Sequence, residues 1–229
     1  MKTAIVTGAS GNLGQAVVKK FLSKDFRVTG TVIPDDAVSI DIRGKNIETA
    51  VVDLMKEEQA KKFVELVAMK HDTIAVAVLT VGGFAMGNIG ATKTSDVAKQ
   101  FKLNFEATYN VARPVFNQMI KQGSGRIFMI GSRPGIDMGN SKGMIAYGLS
   151  KSLIFRLAEL MNEEAKGSGV VTSVVVPSTI DTPQNRASMP KADPKKWVTP
   201  AASADISYFH CSKEGAALRE PVIKIYGDA

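Results

Sequence analysis

The sequence predicts an α/β fold, a doubly wound parallel sheet of about seven strands with helices on both faces. Short β-branched runs alternate along the chain with longer amphipathic segments, the pattern of repeated strand–helix–strand units. Such repetition requires right-handed crossovers, and these make the strands parallel and cover the sheet on both sides. The 229 residues fit one domain. The strand-like runs are 2–7, 26–33, 47–52, 73–79, 126–130, 170–176 and 222–226.

Helical periodicity favours helices at 12–23, 56–70, 104–121 and 147–166. The stretch 182–200 is different, because its four prolines and its lone tryptophan discourage a long helix. It follows the sixth predicted strand, at the edge where open α/β sheets bind ligands. We therefore predict a loop or short lid over a substrate site, with an ordinary surface connection as the alternative. The residues concerned are Pro183, Pro190, Pro194, Pro200 and Trp197.

Composition excludes several classes of protein. A chain with 45% hydrophobic and 22% charged residues is not disordered. The net charge of +7 admits an anionic partner, but no Lys/Arg run exceeds two residues, which favours a solvated surface over nucleic-acid binding. The longest apolar run, 74–79, is too short to span a membrane, and one cysteine, Cys211, indicates a reducing compartment. We expect a cytoplasmic protein that binds no metal, since His71 and His210 belong to no ligand cluster.

A glycine-rich turn follows the first predicted strand and begins the first helix. Glycines in this position allow a tight turn and let the backbone approach a pyrophosphate, while the helix N-terminus points free N–H groups at the anion. The turn therefore predicts a dinucleotide site, with glycines at positions 8, 11 and 14. The predicted contact residues are Gly8, Ser10, Asn12, Leu13 and Gly14.

The second and third strands bear on cofactor choice. An acidic residue that binds the adenosine ribose is expected near Val32, but none is present there, and Asp35 and Asp36 come later. No arginine replaces it, so the choice between NAD and NADP stays open, with NADP favoured. Asp53 and Leu54, at the end of the third strand, are predicted to lie beside the adenine. For Asp53 the alternative is a cap of the following helix.

Tyr147 and Lys151 lie four residues apart and so share one face of a predicted helix. A nearby positive charge stabilises a phenolate, which suits the tyrosine to proton transfer. Ser132, at the end of the fifth strand, is placed to donate a hydrogen bond to a carbonyl oxygen beside that phenol. Alone, such a Tyr–Lys pair is common on helix surfaces. In a chain that also has the glycine-rich turn and Ser132, the Tyr147–Lys151 pair predicts a reductase site.

These motifs occur in the order found in the short-chain dehydrogenase/reductase family, which the chain resembles over nearly its full length. The resemblance implies a single NAD(P)-binding domain over 1–229 with a Rossmann fold and a substrate lid at about 182–200. It also implies an NAD(P)-dependent reductase that transfers hydride to a C=O or C=N bond of a small molecule. The assembly it implies is a homodimer or homotetramer.

The resemblance further implies a catalytic tetrad of Asn104, Ser132, Tyr147 and Lys151. Tyr147 would be the proton donor, and Lys151 would lower its pKa and hold the nicotinamide ribose. Ser132 would polarise the substrate, and Asn104 would support a water chain to Lys151. The other cofactor contacts implied are Gly82, Gly83, Pro177, Ile180 and Thr182.

Two segments are similar to dihydropteridine reductases: the loop 81–87 and the segment 181–193 with the tryptophan that follows. A quinonoid dihydropteridine is therefore one predicted substrate. Those enzymes generally carry alanine where Ser132 stands and prefer NADH, so a carbonyl or 3-oxoacyl-type reductase is the alternative. A non-catalytic, dinucleotide-sensing regulator is a rival from another class, and the glycine spacing also admits an epimerase. The longer spacing between Ser132 and Tyr147 predicts a small insertion within 133–142.

Overall fold

The computed structural model describes residues 1–33, 44–137, 139 and 141–228. It contains a seven-stranded sheet in the order β3-β2-β1-β4-β5-β6-β7, and every neighbouring pair of strands is parallel. This confirms the predicted fold class. The strands are β1 (Thr3–Thr7), β2 (Arg27–Val32), β3 (Ile47–Val51), β4 (Val76–Leu79), β5 (Ser124–Ile130), β6 (Gly169–Pro177) and β7 (Val222–Ile225).

Helices cover both faces of the sheet. A π-helical turn, Phe101–Glu106, precedes α4, so the helical region predicted from 104 actually starts further upstream. Short 3-10 turns occur at Arg133–Gly135 and Pro194–Lys196. The helices are α1 (Asn12–Leu22), α2 (Glu57–His71), α3 (Thr94–Gln100), α4 (Ala107–Gln122), α5 (Ile145–Glu164), α6 (Pro183–Ser188) and α7 (Pro200–Phe209).

Two hydrophobic cores hold the layers together, one on each face of the sheet. On one face the apolar side of α1, including Val17 and Phe21, packs with strand residues such as Val6. On the other face α2, α4 and α5 pack against the sheet, with Phe63 and Val111 among the buried residues. Strand side chains are buried on both faces, which is why the strands appear in the sequence as continuous apolar runs.

The chain reverses its direction of winding at β1, which lies between β2 and β4. The carboxyl ends of these strands therefore border a crevice, the usual ligand site of such sheets. Hydrogen bonds fix its floor: the Gly8 N–H donates to Thr31 Oγ1 at 3.2 Å, and Thr80 Oγ1 donates to the Thr7 carbonyl at 2.7 Å.

The proline-containing stretch after β6 folds into short helical pieces. Pro183, Pro194 and Pro200 each begin a helix or 3-10 turn, the position where a missing N–H costs nothing. Thr182 caps α6 by accepting a hydrogen bond from the Asn185 N–H at 3.2 Å. No helix in the part of the chain that the structure describes is both long and apolar enough to cross a bilayer.

Candidate active site

The turn between β1 and α1 can be formed only with glycine at two positions. Gly8 has φ +62, a left-handed conformation that side chains rarely adopt. A Cβ on Gly14 would overlap the Gly8 carbonyl oxygen, so α1 approaches the turn too closely for any side chain there. Both glycines therefore serve the geometry that the sequence predicted.

The N-terminus of α1 is open to an anion. Its N-cap is Gly11, which has no side chain to bond the first-turn amides, and the first turn contains no acidic residue. Free amides and the helix dipole together favour a phosphate at this end. The turn and the uncapped helix thus fit the diphosphate of a dinucleotide. Asn12 Nδ2 donates to Gln184 Oε1 of α6 at 2.9 Å, which brings α6 beside the same turn.

The predicted ribose and adenine contacts are only partly exposed. Val32 is buried in the core, and Ile33, 54% exposed, is the first accessible side chain beyond β2. Leu54 is also a core residue. Asp53 Oδ1 accepts from the Met55 N–H at 3.1 Å, whereas the N-cap of α2 is a lysine. The alternative interpretation of Asp53 as a helix cap is therefore wrong. Asp35 and Asp36 lie outside the described residues.

Tyr147 and Lys151 lie near Ser132, as predicted, but the electrostatics differ from expectation. Lys151 is 5% exposed, and burial lowers its pKa to about 8. Its Nζ donates to the Ile130 carbonyl at 2.8 Å. Burial raises the pKa of Tyr147, opposed by the Ser132 hydroxyl. Desolvation thus sets the direction of the Tyr147 pKa shift, and the side chain that opposes it is Ser132. The lowering of this pKa by Lys151, which the resemblance implies, stays a prediction.

The Ser132 hydroxyl is a buried polar group without a formed hydrogen bond. It lies close enough to the phenol to affect its pKa, yet its Oγ makes no well-formed hydrogen bond to any residue that the structure describes. Buried hydroxyls normally have a partner, and one without a partner often marks a functional site. The Ser132 donor is therefore left for a substrate atom.

Asn104 holds the loop after β4 in place. Its Oδ1 accepts from the Gly83 N–H at 2.9 Å, and its Nδ2 donates to the Gly83 carbonyl at 3.0 Å. The same Nδ2 also faces Gln100 Oε1 at 2.9 Å and Ser150 Oγ at 3.1 Å. The implied water chain remains a prediction, while these contacts make Asn104 a residue that positions the loop.

Sequence reasoning missed Gln100 and Ser150. The sequence spacing could have indicated both residues. Gln100 lies four residues before Asn104, on the same helical face, and Ser150 directly precedes Lys151. Gly82 lies where these groups meet: a Cβ there would be 2.7 Å from Asn104 Oδ1 and 3.1 Å from Lys151 Nζ. Only glycine lets the loop lie this close to the lysine.

The loop beyond Gly83 forms one wall of the site. The Phe84 ring meets the Tyr147 ring edge-on, with centroids 5.0 Å apart. Backbone hydrogen bonds tie the loop to the start of α5, from Gly87 N–H to the Gly143 carbonyl at 2.7 Å and from Ile145 N–H to the Gly87 carbonyl at 3.2 Å. Sequence analysis noted this loop without assigning Phe84 a role.

The last predicted cofactor contacts lie where the chain leaves β6. Pro177 is the final residue of that strand, and Ile180 forms a bridge with Val198. Thr182 is used as the cap of α6. The structure thus places these residues between β6 and the helix that contacts Asn12. Their contact with a cofactor stays a prediction.

Among the described residues, the other reactive side chains form no second reactive centre. Within residues 1–33, 44–137, 139 and 141–228, no three His, Cys, Asp or Glu side chains are close enough to hold a metal ion. Cys211 donates through its thiol to the Ser207 carbonyl at 3.2 Å, and burial raises its pKa to about 12. A thiol so rarely ionised is a poor nucleophile.

The sequence profile of the short chain dehydrogenase family matches residues 2–193. This chain belongs to the short-chain dehydrogenase family. Its relatives include the 3-oxoacyl-[acyl-carrier-protein] reductase FabG of Buchnera aphidicola, which is 27% identical over 186 residues, covering 79% of this chain and 74% of that protein.

Solved structures of the family share the fold. A short-chain type dehydrogenase/reductase from Mycobacterium ulcerans superposes with a TM-score of 0.90 at 21% identity, over 99% of this chain and 89% of that one. ElxO with NADP bound superposes with a TM-score of 0.83 at 23% identity, over 99% and 97% of the two chains.

Family membership confirms the predictions of an oxidoreductase and of a nicotinamide dinucleotide cofactor. The choice between NAD and NADP, the oligomeric state, the cytoplasmic location and the closer likeness to dihydropteridine reductases stay predictions.

Proposed function

We propose that this short-chain dehydrogenase reduces the carbonyl group of a small molecule. The observation that carries the proposal is the Ser132 hydroxyl, which is buried, lies beside the Tyr147 phenol and forms no well-aligned hydrogen bond to any described residue. A carbonyl oxygen has two lone pairs and accepts from both hydroxyls at once. Donors already in place where negative charge develops favour the transition state over the substrate.

Each side chain then has a distinct part. The raised pKa of Tyr147 keeps the phenol protonated at neutral pH, as a proton donor to a forming alkoxide requires. Ser132 donates a second hydrogen bond to the same oxygen. Lys151, with a pKa of about 8, is mostly charged at pH 7. Its ammonium group stabilises the Tyr147 phenolate that forms when the phenol gives up its proton, until that phenolate is protonated again.

The glycine turn and the uncapped start of α1 would hold the diphosphate of the cofactor, and Lys151 would bind its nicotinamide ribose. When bound, it supplies the hydride. The absence of an acid at Val32 or Ile33 supports NADP, because no carboxylate there repels a 2′-phosphate. The likeness to ElxO, whose structure holds NADP, supports the same choice.

A carbonyl of the 3-oxoacyl type is the favoured substrate, supported by the similarity to FabG and by Ser132. A quinonoid dihydropteridine is the second candidate. One specific observation favours it: the Phe84 ring beside Tyr147 offers an aromatic neighbour to a flat heterocycle. The sensor and epimerase alternatives gain no support from two hydroxyls placed for one carbonyl oxygen.

The protein is proposed to act as a cytoplasmic homodimer or homotetramer. Support comes from Leu149, Leu153 and Leu160 of α5, which are exposed on a helix that otherwise packs on the sheet. Exposed apolar side chains on one helix are typical of subunit interfaces.

The test is NADH and NADPH oxidation by the purified protein with a 3-oxoacyl thioester, small ketones, quinones and a quinonoid dihydropterin. On the best carbonyl substrate, Tyr147→Phe is expected to lower kcat about a hundredfold or more, the low end of general-acid effects. Ser132→Ala is expected to lower it by about 10²-fold, as for loss of one oxyanion donor. Near-normal turnover by both variants would contradict the proposal. Cofactor binding without oxidation of any member of the panel would favour the sensor.

A further inference from the structure

The loop that borders Tyr147 is apolar and carries no charge. Residues 80–91 contain no Asp, Glu, Lys, Arg or His. Phe84 is 58% exposed and Met86 is 64% exposed, although both belong to a loop held against α5. Large apolar side chains exposed on a loop beside catalytic groups indicate a surface that binds an apolar ligand.

The backbone on both sides of Phe84 is fixed. Gly83 exchanges two hydrogen bonds with the buried Asn104, which ties it to the π-helical turn. Gly87 is bonded to Gly143 and Ile145 at the start of α5. An aromatic ring on a fixed backbone loses little conformational freedom on binding, which is the condition for a preorganised contact.

The Phe84 ring also contacts the Tyr147 phenol directly. Phe84 and Tyr147 meet at 78° with centroids 5.0 Å apart. Since the Phe84 ring remains more than half exposed in this contact, part of its surface is left for a ligand whose carbonyl reaches Tyr147 and Ser132.

We propose that Phe84 is a specificity-determining residue that stacks against the ring of a planar, conjugated carbonyl substrate. The inference rests on the proposed carbonyl reductase function, and it favours aryl ketones, quinones and related flat heterocycles over the aliphatic 3-oxoacyl substrates that the similarity to FabG supports. The neutral loop favours a substrate that is uncharged next to the carbonyl, because residues 80–91 contain no side chain that would pair with a charge.

A matched pair of ligands isolates the stacking contact. Acetophenone and cyclohexyl methyl ketone are both methyl ketones with six ring carbons, but only the first has a flat, aromatic ring conjugated with its carbonyl. Aromatic pairs in favourable geometry contribute roughly a 2- to 12-fold gain in affinity. The wild-type protein saturated with NADP⁺, which cannot reduce a ketone, is expected to bind acetophenone more tightly by that factor in calorimetric titration.

Four variants identify the residue responsible. Phe84→Ala and Phe84→Leu are expected to abolish the preference, the leucine variant keeping an apolar side chain. Phe84→Trp is expected to restore it. Ile89→Ala is the matched control, since Ile89 lies on the same loop and is 79% exposed. Because Phe84 is exposed, these changes leave the core intact, which thermal unfolding checks.

The outcomes separate this inference from the proposed function. A preference that Phe84→Ala and Phe84→Leu retain, or equal binding of the two ketones by the wild-type protein, overturns the stacking role. Failure of both ketones to bind overturns it as well. Loss of the preference only in the alanine and leucine variants supports it, even if NADPH oxidation shows no turnover. In that case the function falls and the aromatic site stands.

Discussion

Lys151→Met is expected to stabilise the cofactor-free protein at neutral pH while abolishing catalysis. Lys151 is buried, and its Nζ donates a hydrogen bond to the Ile130 carbonyl. A charged amine in such surroundings has lost most of its hydration, and this cost appears as its lowered pKa. Methionine has a similar length, fills irregular gaps and carries no charge.

The magnitude follows from the pKa. A fall from 10.5 to about 8 corresponds to about 3.4 kcal/mol against the protonated native state, at about 1.36 kcal/mol per pKa unit. The variant leaves the Ile130 carbonyl without this donor, which costs about 1–3 kcal/mol. The net gain expected at pH 7 is therefore about 0.4–2.4 kcal/mol.

The pH dependence gives a second, independent signature. Below about pH 8 the lysine is protonated in both states, so the native protein carries the full cost. Between about pH 8 and 10.5 the unfolded chain binds more protons than the native one, so wild-type stability rises with pH relative to the variant. Tyr147 and Cys211, whose pKa values are raised, act in the opposite direction. Both proteins contain them, and their contribution cancels in the comparison.

Urea unfolding of both proteins at pH 7 and pH 9.5, without cofactor, measures these differences. Lys166→Met serves as the control, since the Lys166 side chain is 73% exposed and its ion pair is worth little. The reasoning is refuted if Lys151→Met is the less stable protein at pH 7 and the two proteins show the same change between the two pH values.

Two further substitutions test the loop and the turn. Gly82→Ala places a Cβ 3.1 Å from Lys151 Nζ. It is expected to lower the free energy of unfolding by about 1–3 kcal/mol and kcat/KM by at least about tenfold. The control is Gly90→Ala, whose Cβ has its nearest neighbour at 3.7 Å and which is expected to keep wild-type stability and kcat/KM. Equal effects of the two would argue against crowding. Gln184→Ala removes the acceptor of the Asn12 side-chain amide and leaves that amide free to donate to the diphosphate. The cofactor Kd in a fluorescence titration is therefore expected to fall by about 2- to 10-fold. A rise in Kd would mean that α6 assists cofactor binding instead.

The fold was predictable because its strands are buried on both faces and appear as apolar β-branched runs. The region before α4 was harder. Its first helix, Thr94–Gln100, has a mostly polar sequence, and the π-helical turn that follows shifts the helical period. Helical periodicity in one sequence does not register such a turn, so the start of this helical region was placed too late.

The site was predictable where spacing along one helix decides proximity. Tyr147 and Lys151 are neighbours for that reason. The hydrogen-bond partners of Asn104 were not predictable, because Gly83 and Ser150 lie 21 and 46 residues away from it in the sequence. The effect of burial on the pKa of Tyr147 was not predictable for a related reason: proximity to a lysine is visible in a sequence, while the depth of burial is set by the packed fold.

The same packing connects the stability of this fold with its chemistry. Gly82 has no side chain, so the loop lies against Lys151 and Asn104, and this closeness excludes water from the lysine. Exclusion of water lowers the pKa of Lys151 and raises that of Tyr147, disfavouring the charged form of each. A ligand that accepts a hydrogen bond from Lys151 offsets part of the desolvation cost of the buried ammonium. This offset contributes favourably to the free energy of ligand binding. Burial of Lys151 therefore destabilises the free protein but favours binding of the cofactor. Gly82, which allows this burial, belongs to the site as much as Tyr147 does.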